Sequence, residues 1–291
     1  MRSRFEYILP RSLKEVLDFL GDRGSQTSII AGGTDLMIAA RNGGVASRYV
    51  VDVSRLEEMR VIAVTEGALS IGAAVTFTEI VNSPQIAQWA PILAQAAGCV
   101  GSVQIRNVGT LGGNVANASP AADSVPPMLV HRARVQIQSA SSERSEPLEE
   151  VIIGPYRTTL KPGEVITRFI LEPLGHEYRW NFQRIARRRA LSAARMNAAV
   201  IGRLDSRGMV DELRLSVGSI TPEPSRMTGA EEHLKGKIPD PLLIQEAAEK
   251  VSLEMVRRSG VRVSTEYKRP AVEGLVVKAL TELFIKQSCN A

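Results

Sequence analysis

The spacing of apolar residues along the chain predicts a mixed succession of short strands and helices. Leu13, Val16, Leu17 and Leu20 fall on one helical face, and Ser12 with Glu15 forms an S-x-x-E start behind Pro10. Gly21 and Gly24 are expected to close that helix. The run Ser28-Ile29-Ile30-Ala31 has the length of a buried strand and breaks at once into Gly32-Gly33-Thr34-Asp35. A second strand is expected over 49–53, and a hairpin from Val61 through Glu66-Gly67 to Ile71. Thr76 and Glu79 mark another helix start, and a further helix is expected over 91–98. Residues 99–126 keep no helix or strand period, and small residues, Asn and Gly dominate. Such a stretch inside a compact domain predicts a long functional loop. Alternation resumes at 134–138 and 165–170. Beyond a boundary near Glu172-Pro173, a hairpin is predicted around Asp205-Ser206-Arg207-Gly208. Helices follow over 241–256 and 269–286. The two domains expected are therefore 1–172 and 173–291.

Composition narrows the chemistry. The 291 residues are 44% hydrophobic and 23% charged, which suits folded domains rather than disorder. Aromatics make up only 4%, too few for a stacking platform, so no nucleic-acid partner is expected. No apolar run approaches the ~18 residues of a membrane helix, and Met1 to Tyr7 lack a signal-peptide core. A cytoplasmic location, or import by riding on a partner, follows as the expectation. Cys99 and Cys289 form no C-x-x-C, and His131, His176 and His233 are scattered. The chain is therefore expected to hold neither an iron–sulfur cluster nor a zinc site. The formal charge is +5, with much of the excess at Arg184, Arg187, Arg188, Arg189 and Arg195. That cluster reads as a solvated strand edge or an interface rim, or as a site for phosphates.

Two glycine-pair loops carry the strongest chemical signal: Ala31-Gly32-Gly33-Thr34-Asp35 and Thr110-Leu111-Gly112-Gly113-Asn114. Glycine admits positive φ, and backbone amides can then turn toward an anion. Two such loops in one domain could clasp the two sides of a pyrophosphate. Neither is a G-x-G-x-x-G or Walker sequence. Plainer roles stay open: Asp35 and Asp123 as helix caps or turn residues, Arg106 as a surface or subunit-contact arginine, Cys99 as a small buried hydrophobe.

The chain resembles the FAD-binding medium subunits of the molybdenum hydroxylases, the xanthine dehydrogenase and carbon monoxide dehydrogenase family. The residues that carry the resemblance are Phe5-x-Tyr7-x-x-Pro10-x-Ser12-Leu13, Ala31 to Leu36 and Gln104-Ile105-Arg106-Asn107. To these add Thr110 to Asn114, the continuation Asn117-Ala118-Ser119-Pro120-Ala121-Ala122-Asp123, and Gly218-Ser219-Ile220-Thr221-Pro222-x-Pro224-x-Arg226. The resemblance implies an α+β fold: a two-lobed FAD-binding domain of the vanillyl-alcohol-oxidase/PCMH type, then a small antiparallel sheet with helices. It implies FAD bound without a covalent link. The pyrophosphate would lie on Ile29, Ile30, Ala31, Gly32, Gly33, Thr34, Asp35 and Leu36, and on Thr110, Leu111, Gly112, Gly113 and Asn114. Asp123 would meet the ribose or adenine side, Gly101 and Val165 would line the flavin, and Arg195 would be a cation near it. Ser192 stands where relatives carry an acidic residue.

As partners the resemblance implies a molybdopterin-containing large subunit, a small [2Fe–2S] subunit and NAD or another acceptor, in a dimer of heterotrimers. The function implied is that of a xanthine dehydrogenase-like oxidoreductase subunit, carrying electrons while the complex oxidises a purine, another N-heterocycle or an aldehyde. Two other classes fit less of the chain. A stand-alone flavin reductase or oxidase of this fold would need its own proton donor, and a basic binding module would leave both glycine loops idle.

Overall fold

A computed structural model describes residues 5–188 and 194–285. The chain divides into two compact units. The first comprises 1–119 and 132–173, the second 120–131 and 174–291. The segment Pro120–His131 thus leaves the first unit and packs in the second.

In the first unit, Glu6–Ile8, Tyr49–Asp52 and Thr27–Ile30 form a parallel sheet in that order. Tyr49–Asp52 is central and buried at every position, as expected of a parallel strand covered on both faces. Ser12 caps the helix Leu13–Arg23 by accepting the Glu15 amide, but the Glu15 carboxylate returns to the Arg11 amide rather than to Ser12, so the box is half formed. The helix also runs through Gly21. A Cβ there would stand 2.9 Å from Ala140 Cβ, so this glycine serves packing and not termination.

The second sheet of this unit is antiparallel, in the order Ile62–Thr65, Ala68–Gly72, Val165–Leu171, Arg134–Gln138, Glu143–Pro147. Its first hairpin turns at Glu66 and Gly67, with φ of 52° and 76°, the left-handed pair that tight hairpins favour. Arg144 holds the sheet edge by pairing with Glu146 and Glu164. Burial pushes the Glu164 carboxyl up, but Arg144 and the Lys161 amide outweigh it and hold its pKa below the ordinary value. A depressed carboxylate contributes stability above its unfolded pKa and loses it as pH falls through the folded one. Acid unfolding monitored by circular dichroism should therefore show this share disappearing below pH ~4.5, and Glu164→Gln should flatten that part of the profile.

The stretch expected as one loop over 99–126 is instead broken into short helices, Val103–Arg106, Leu111–Asn117 and the start of Val125–Val130. Four to seven residues are too few for a helical period to register. The signals present are caps: Ser102 accepts the Ile105 amide and Thr110 accepts that of Gly113.

The second unit is built on an antiparallel sheet of Arg179–Ala186, Ala194–Leu204 and Val210–Gly218. Met196, Ala198 and Val200, with Leu213, Leu215 and Val217, pack in one core with Ile244, Val251, Val276 and Leu280. These last come from the helices Pro241–Ser259 and Thr265–Phe284. On the alternate positions, buried Arg214 donates to Val130 O at 3.1 Å and pairs with Glu212. The last helix begins at Thr265, four residues before the expected start, and carries Pro270 inside it. Pro270 is the sixth residue of this helix, past the first turn, so the bond that its amide would have made to Glu266 O is forfeited there. Among the described residues, no helix is long and apolar enough to cross a membrane.

Candidate cofactor-binding site

The strand Thr27–Ile30 runs out into Ala31 and the first glycine pair, and the helix Leu36–Arg41 follows. Gly33 takes φ +68°, the left-handed turn expected of it. Met37 N bonds to Gly33 O and Ala39 N to Asp35 O, whereas the amides of Gly32, Gly33, Thr34, Asp35 and Leu36 find no acceptor among the described residues. Asp35 stands at the cap position, yet its side chain accepts from no helix amide, and among the described residues it meets only the Thr34 hydroxyl, at 3.3 Å. A left-handed turn leading into a helix therefore presents a run of open N–H donors, the arrangement that holds an anion.

Gly32 has a different task. A Cβ at this position would stand 2.0 Å from Val108 O and 2.9 Å from Gly109 Cα. The first glycine turn is thereby pressed against the backbone that leads into Thr110, and the two glycine loops are neighbours.

The second loop departs from expectation. Gly112 and Gly113 are helical, without positive φ, and the loop's amides are spent. Leu111 N bonds to Val75 O at 3.0 Å, Gly112 N to Ala73 O at 2.8 Å, Gly113 N to Thr110 Oγ1 at 3.1 Å, and Asn114 N to Thr110 O at 3.0 Å. Gly112 is required by contact, since its Cβ would lie 2.7 Å from Ala73 O, while a Cβ on Gly113 would meet only Thr110 Oγ1. The two glycine pairs are therefore not equivalent: one is an open amide cradle, the other a packed support.

Gly101 takes φ +48° just before Val103–Arg106, where a Cβ would crowd Ile105. Arg106 is not a plain surface residue, because it returns to Val100 O at 3.0 Å. Val165 opens the strand Val165–Leu171, is buried and pairs with Gln138. Two residues on, Thr167 O accepts the amide of Ala73, the residue on which Gly112 rests. Exposed Met37, Ile38, Val103 and Val108 belong to the segments that carry the two loops.

In the second unit, Asp123 is 6% exposed and caps no helix; Ser124 holds the cap position of Val125–Val130. Arg184 Nε reaches both of its oxygens at 3.1 Å and Asn197 Nδ2 donates to Oδ1 at 2.8 Å. Burial raises the Asp123 pKa, and the bonds from Asn197 and Arg184 only partly oppose it. Arg184 thus points inward, unlike the solvated edge expected of the basic cluster, whereas Arg187 and Arg188 are exposed. Arg189 and Ser192 lie outside the described residues. Arg195 is exposed, with its guanidinium 5.3 Å from the centre of the Tyr267 ring. Sequence reading missed Arg184 and Asn197 as partners of Asp123, and Tyr267 beneath Arg195. Separations of 61 and 74 residues leave no local signal for the first two.

Comparison with known proteins gives these features a family. Residues 3–173 match the model of the FAD binding domain in molybdopterin dehydrogenase, and 181–283 that of the CO dehydrogenase flavoprotein C-terminal domain. The xanthine dehydrogenase FAD-binding subunit of Escherichia coli O157:H7 is 31% identical over 93% of each chain. The nicotinate dehydrogenase FAD-subunit of Eubacterium barkeri is 31% identical over 98% of this chain and 99% of its own. Among solved structures, carbon monoxide dehydrogenase from Hydrogenophaga pseudoflava contains a chain that superposes with a TM-score of 0.90 at 26% identity, covering 97% of this chain and 98% of that one. With both family models met in order along one chain, and relatives matched nearly end to end, this protein belongs to the FAD-binding medium subunits of the molybdenum hydroxylases, of the xanthine dehydrogenase and carbon monoxide dehydrogenase type.

Proposed function

We propose that this chain is the electron-transfer subunit of a cytoplasmic molybdenum hydroxylase complex. It passes electrons from the [2Fe–2S] clusters of a small partner to NAD or another acceptor. A molybdopterin-containing large partner oxidises a purine, another N-heterocycle or an aldehyde, and the assembly is a dimer of heterotrimers. The observation that carries the proposal is the run of open amides from Gly32 to Leu36 in a chain of this family. FAD, when bound, supplies the redox chemistry, taking electrons singly and giving them up in pairs.

The residues present fit that group. The amides of Gly32 to Leu36 face the pyrophosphate, at the end of the strand that carries Ile29 and Ile30. Because the amides of Leu111, Gly112, Gly113 and Asn114 are engaged and the Thr110 hydroxyl oxygen accepts the Gly113 amide, the second loop contributes as the packed support against which the first is held. Gly101 and Val165 approach the flavin by backbone. Asp123 meets the ribose or adenine side, with Arg184 and Asn197 fixing its carboxylate. The test is to purify the full chain, precipitate it with acid and measure the supernatant. One FAD per chain should be released, and flavin that stays in the pellet would mean a covalent tether. Co-purification of iron and molybdenum with the tagged chain tests the partners.

Arg195 is proposed as the cation that favours the reduced, negatively charged flavin, its guanidinium steadied by Tyr267. A net ~1 kcal/mol of charge interaction corresponds to ~20 mV for a two-electron couple. Arg195→Ala should lower the FAD midpoint potential by about that amount while FAD stays bound. An unshifted midpoint at full occupancy removes Arg195 from the flavin's surroundings.

A further inference from the structure

The spent amides of the second glycine pair raise the question of what holds their acceptors. Gly113 turns back to Thr110, but the acceptors of Leu111 and Gly112 lie on residues 73–77, which run antiparallel to 109–112. Thr76 is bridged to Thr110, Phe77 N bonds to Gly109 O at 3.0 Å, and Leu111 and Gly112 donate to Val75 O and Ala73 O. This ribbon is itself anchored by one carboxylate. Glu79 Oε2 accepts both the amide and the hydroxyl of Thr76 at 2.7 Å, and the Thr76 oxygen accepts the Glu79 amide at 3.2 Å. The other oxygen, Oε1, faces Arg60 Nη2 at 2.5 Å.

Arg60 reaches it from the far side of the same ribbon. Ala74 N bonds to Met59 O at 2.8 Å, and Gly72 packs so closely that a Cβ would lie 2.9 Å from Arg60 N. Residues 72–77 are therefore bracketed between the backbone of 59–60 and the carboxylate of Glu79. Burial raises the Glu79 pKa, but Thr76 and Arg60 together bring it below the ordinary value, so the group is a carboxylate at neutral pH. Asn107 ties in from the other side, its Oδ1 accepting the Thr78 hydroxyl at 2.6 Å. Gly32 rests on Val108 and Gly109, at the head of the supported turn.

We propose that Arg60 and Glu79 are positioning residues of the FAD cradle, fixing Thr76 and, through it, the second glycine pair against the first. Neither residue touches the cofactor. The inference rests on the proposal that FAD lies on these loops. A residue that only capped the helix Phe77–Asn82 would alter the melting temperature and leave flavin affinity alone.

The experiment uses the full chain at 25 °C. FAD affinity is read from quenching of flavin fluorescence, and the protection of the Leu111 and Gly112 amides from hydrogen exchange. Arg60→Gln spares the Thr76–Glu79 capping box and is the variant expected to stay folded, whereas Glu79→Gln also weakens that cap. Both side chains are about a third exposed, which bounds the effect: Arg60→Gln should raise the FAD dissociation constant about fivefold and speed exchange at Leu111 and Gly112 by a similar factor. Arg60→Lys should recover most of both, and Arg60→Gln with Glu79→Gln should be little worse than the more severe single variant, as expected of one coupled unit. Unchanged affinity and unchanged exchange in folded Arg60→Gln would overturn the proposal, whatever its melting temperature does. If the wild-type chain binds no FAD, the cofactor assignment fails by itself, and the exchange measurement still decides whether Arg60 positions the loop.

Discussion

Gly32→Val should abolish measurable FAD binding, with affinity reduced on the order of a hundredfold or more. The added Cβ would stand 2.0 Å from a backbone oxygen, that of Val108. That oxygen cannot swing away cheaply, because Gly109 N is bonded to Ile105 O at 2.7 Å and Gly109 O receives Phe77 N. One of the two loops must move, and the amide cradle moves with it. Gly113→Val is the instructive contrast, since its Cβ meets only the Thr110 hydroxyl, so it should cost the cap bond and leave the loops in register. Gly229→Ala, on an exposed helical turn with nothing within 4 Å, is a control that should leave FAD binding unaltered and stabilise the chain by ~0.5–1 kcal/mol. Titration of FAD into the folded variants decides. Wild-type affinity in Gly32→Val would mean that the loops do not together form the cofactor site.

Arg184→Met should destabilise the second unit by about 3–5 kcal/mol, the usual cost of leaving one member of a buried ion pair alone. For a unit of this size that lowers the melting temperature on the order of 10 °C. Arg184 and Asp123 are 10% and 6% exposed, so water can compensate little of the loss. The double variant Asp123→Leu with Arg184→Met should recover a large part of the stability, because an apolar pair of similar volume avoids the desolvation of two charges. Recovery should stop short of complete, for Asn197 Nδ2 then loses its acceptor inside the protein, a cost of about 1–3 kcal/mol. Calorimetry of the three variants tests this. A single variant as stable as wild type would show that Asp123 is solvated in solution.

Much of the fold was legible in the sequence where a signal is local. The Thr76–Glu79 box, the hairpin at Glu66-Gly67 and the turn at 205–208 rest on chemistry within a few residues, and the structure has each of them. The two glycine pairs were equally visible, but their difference was not. Whether a glycine amide is open or engaged depends on residues such as Ala73 and Val75, dozens of positions away. The same holds for Asp123, whose surroundings are set by the pairing of Arg179–Ala186 with Ala194–Leu204. Gly21 misled because a glycine near a helix end suits both a cap and a tight contact, and the contact with Ala140 lies far along the chain.

The excursion of Pro120–His131 into the second unit has a consequence for biosynthesis. Val125, Pro126, Met128, Leu129 and Val130 are almost wholly buried there, and their strand neighbours in Val210–Gly218 are translated roughly 90 residues later. At about 5–20 residues per second, the ribosome leaves this apolar stretch without its native cover for roughly 5–20 s. A nascent chain stalled after residue 173 would expose it indefinitely. It would therefore be a preferred place for a chaperone to hold the growing polypeptide, and the first unit cannot be severed from the second by a single cut.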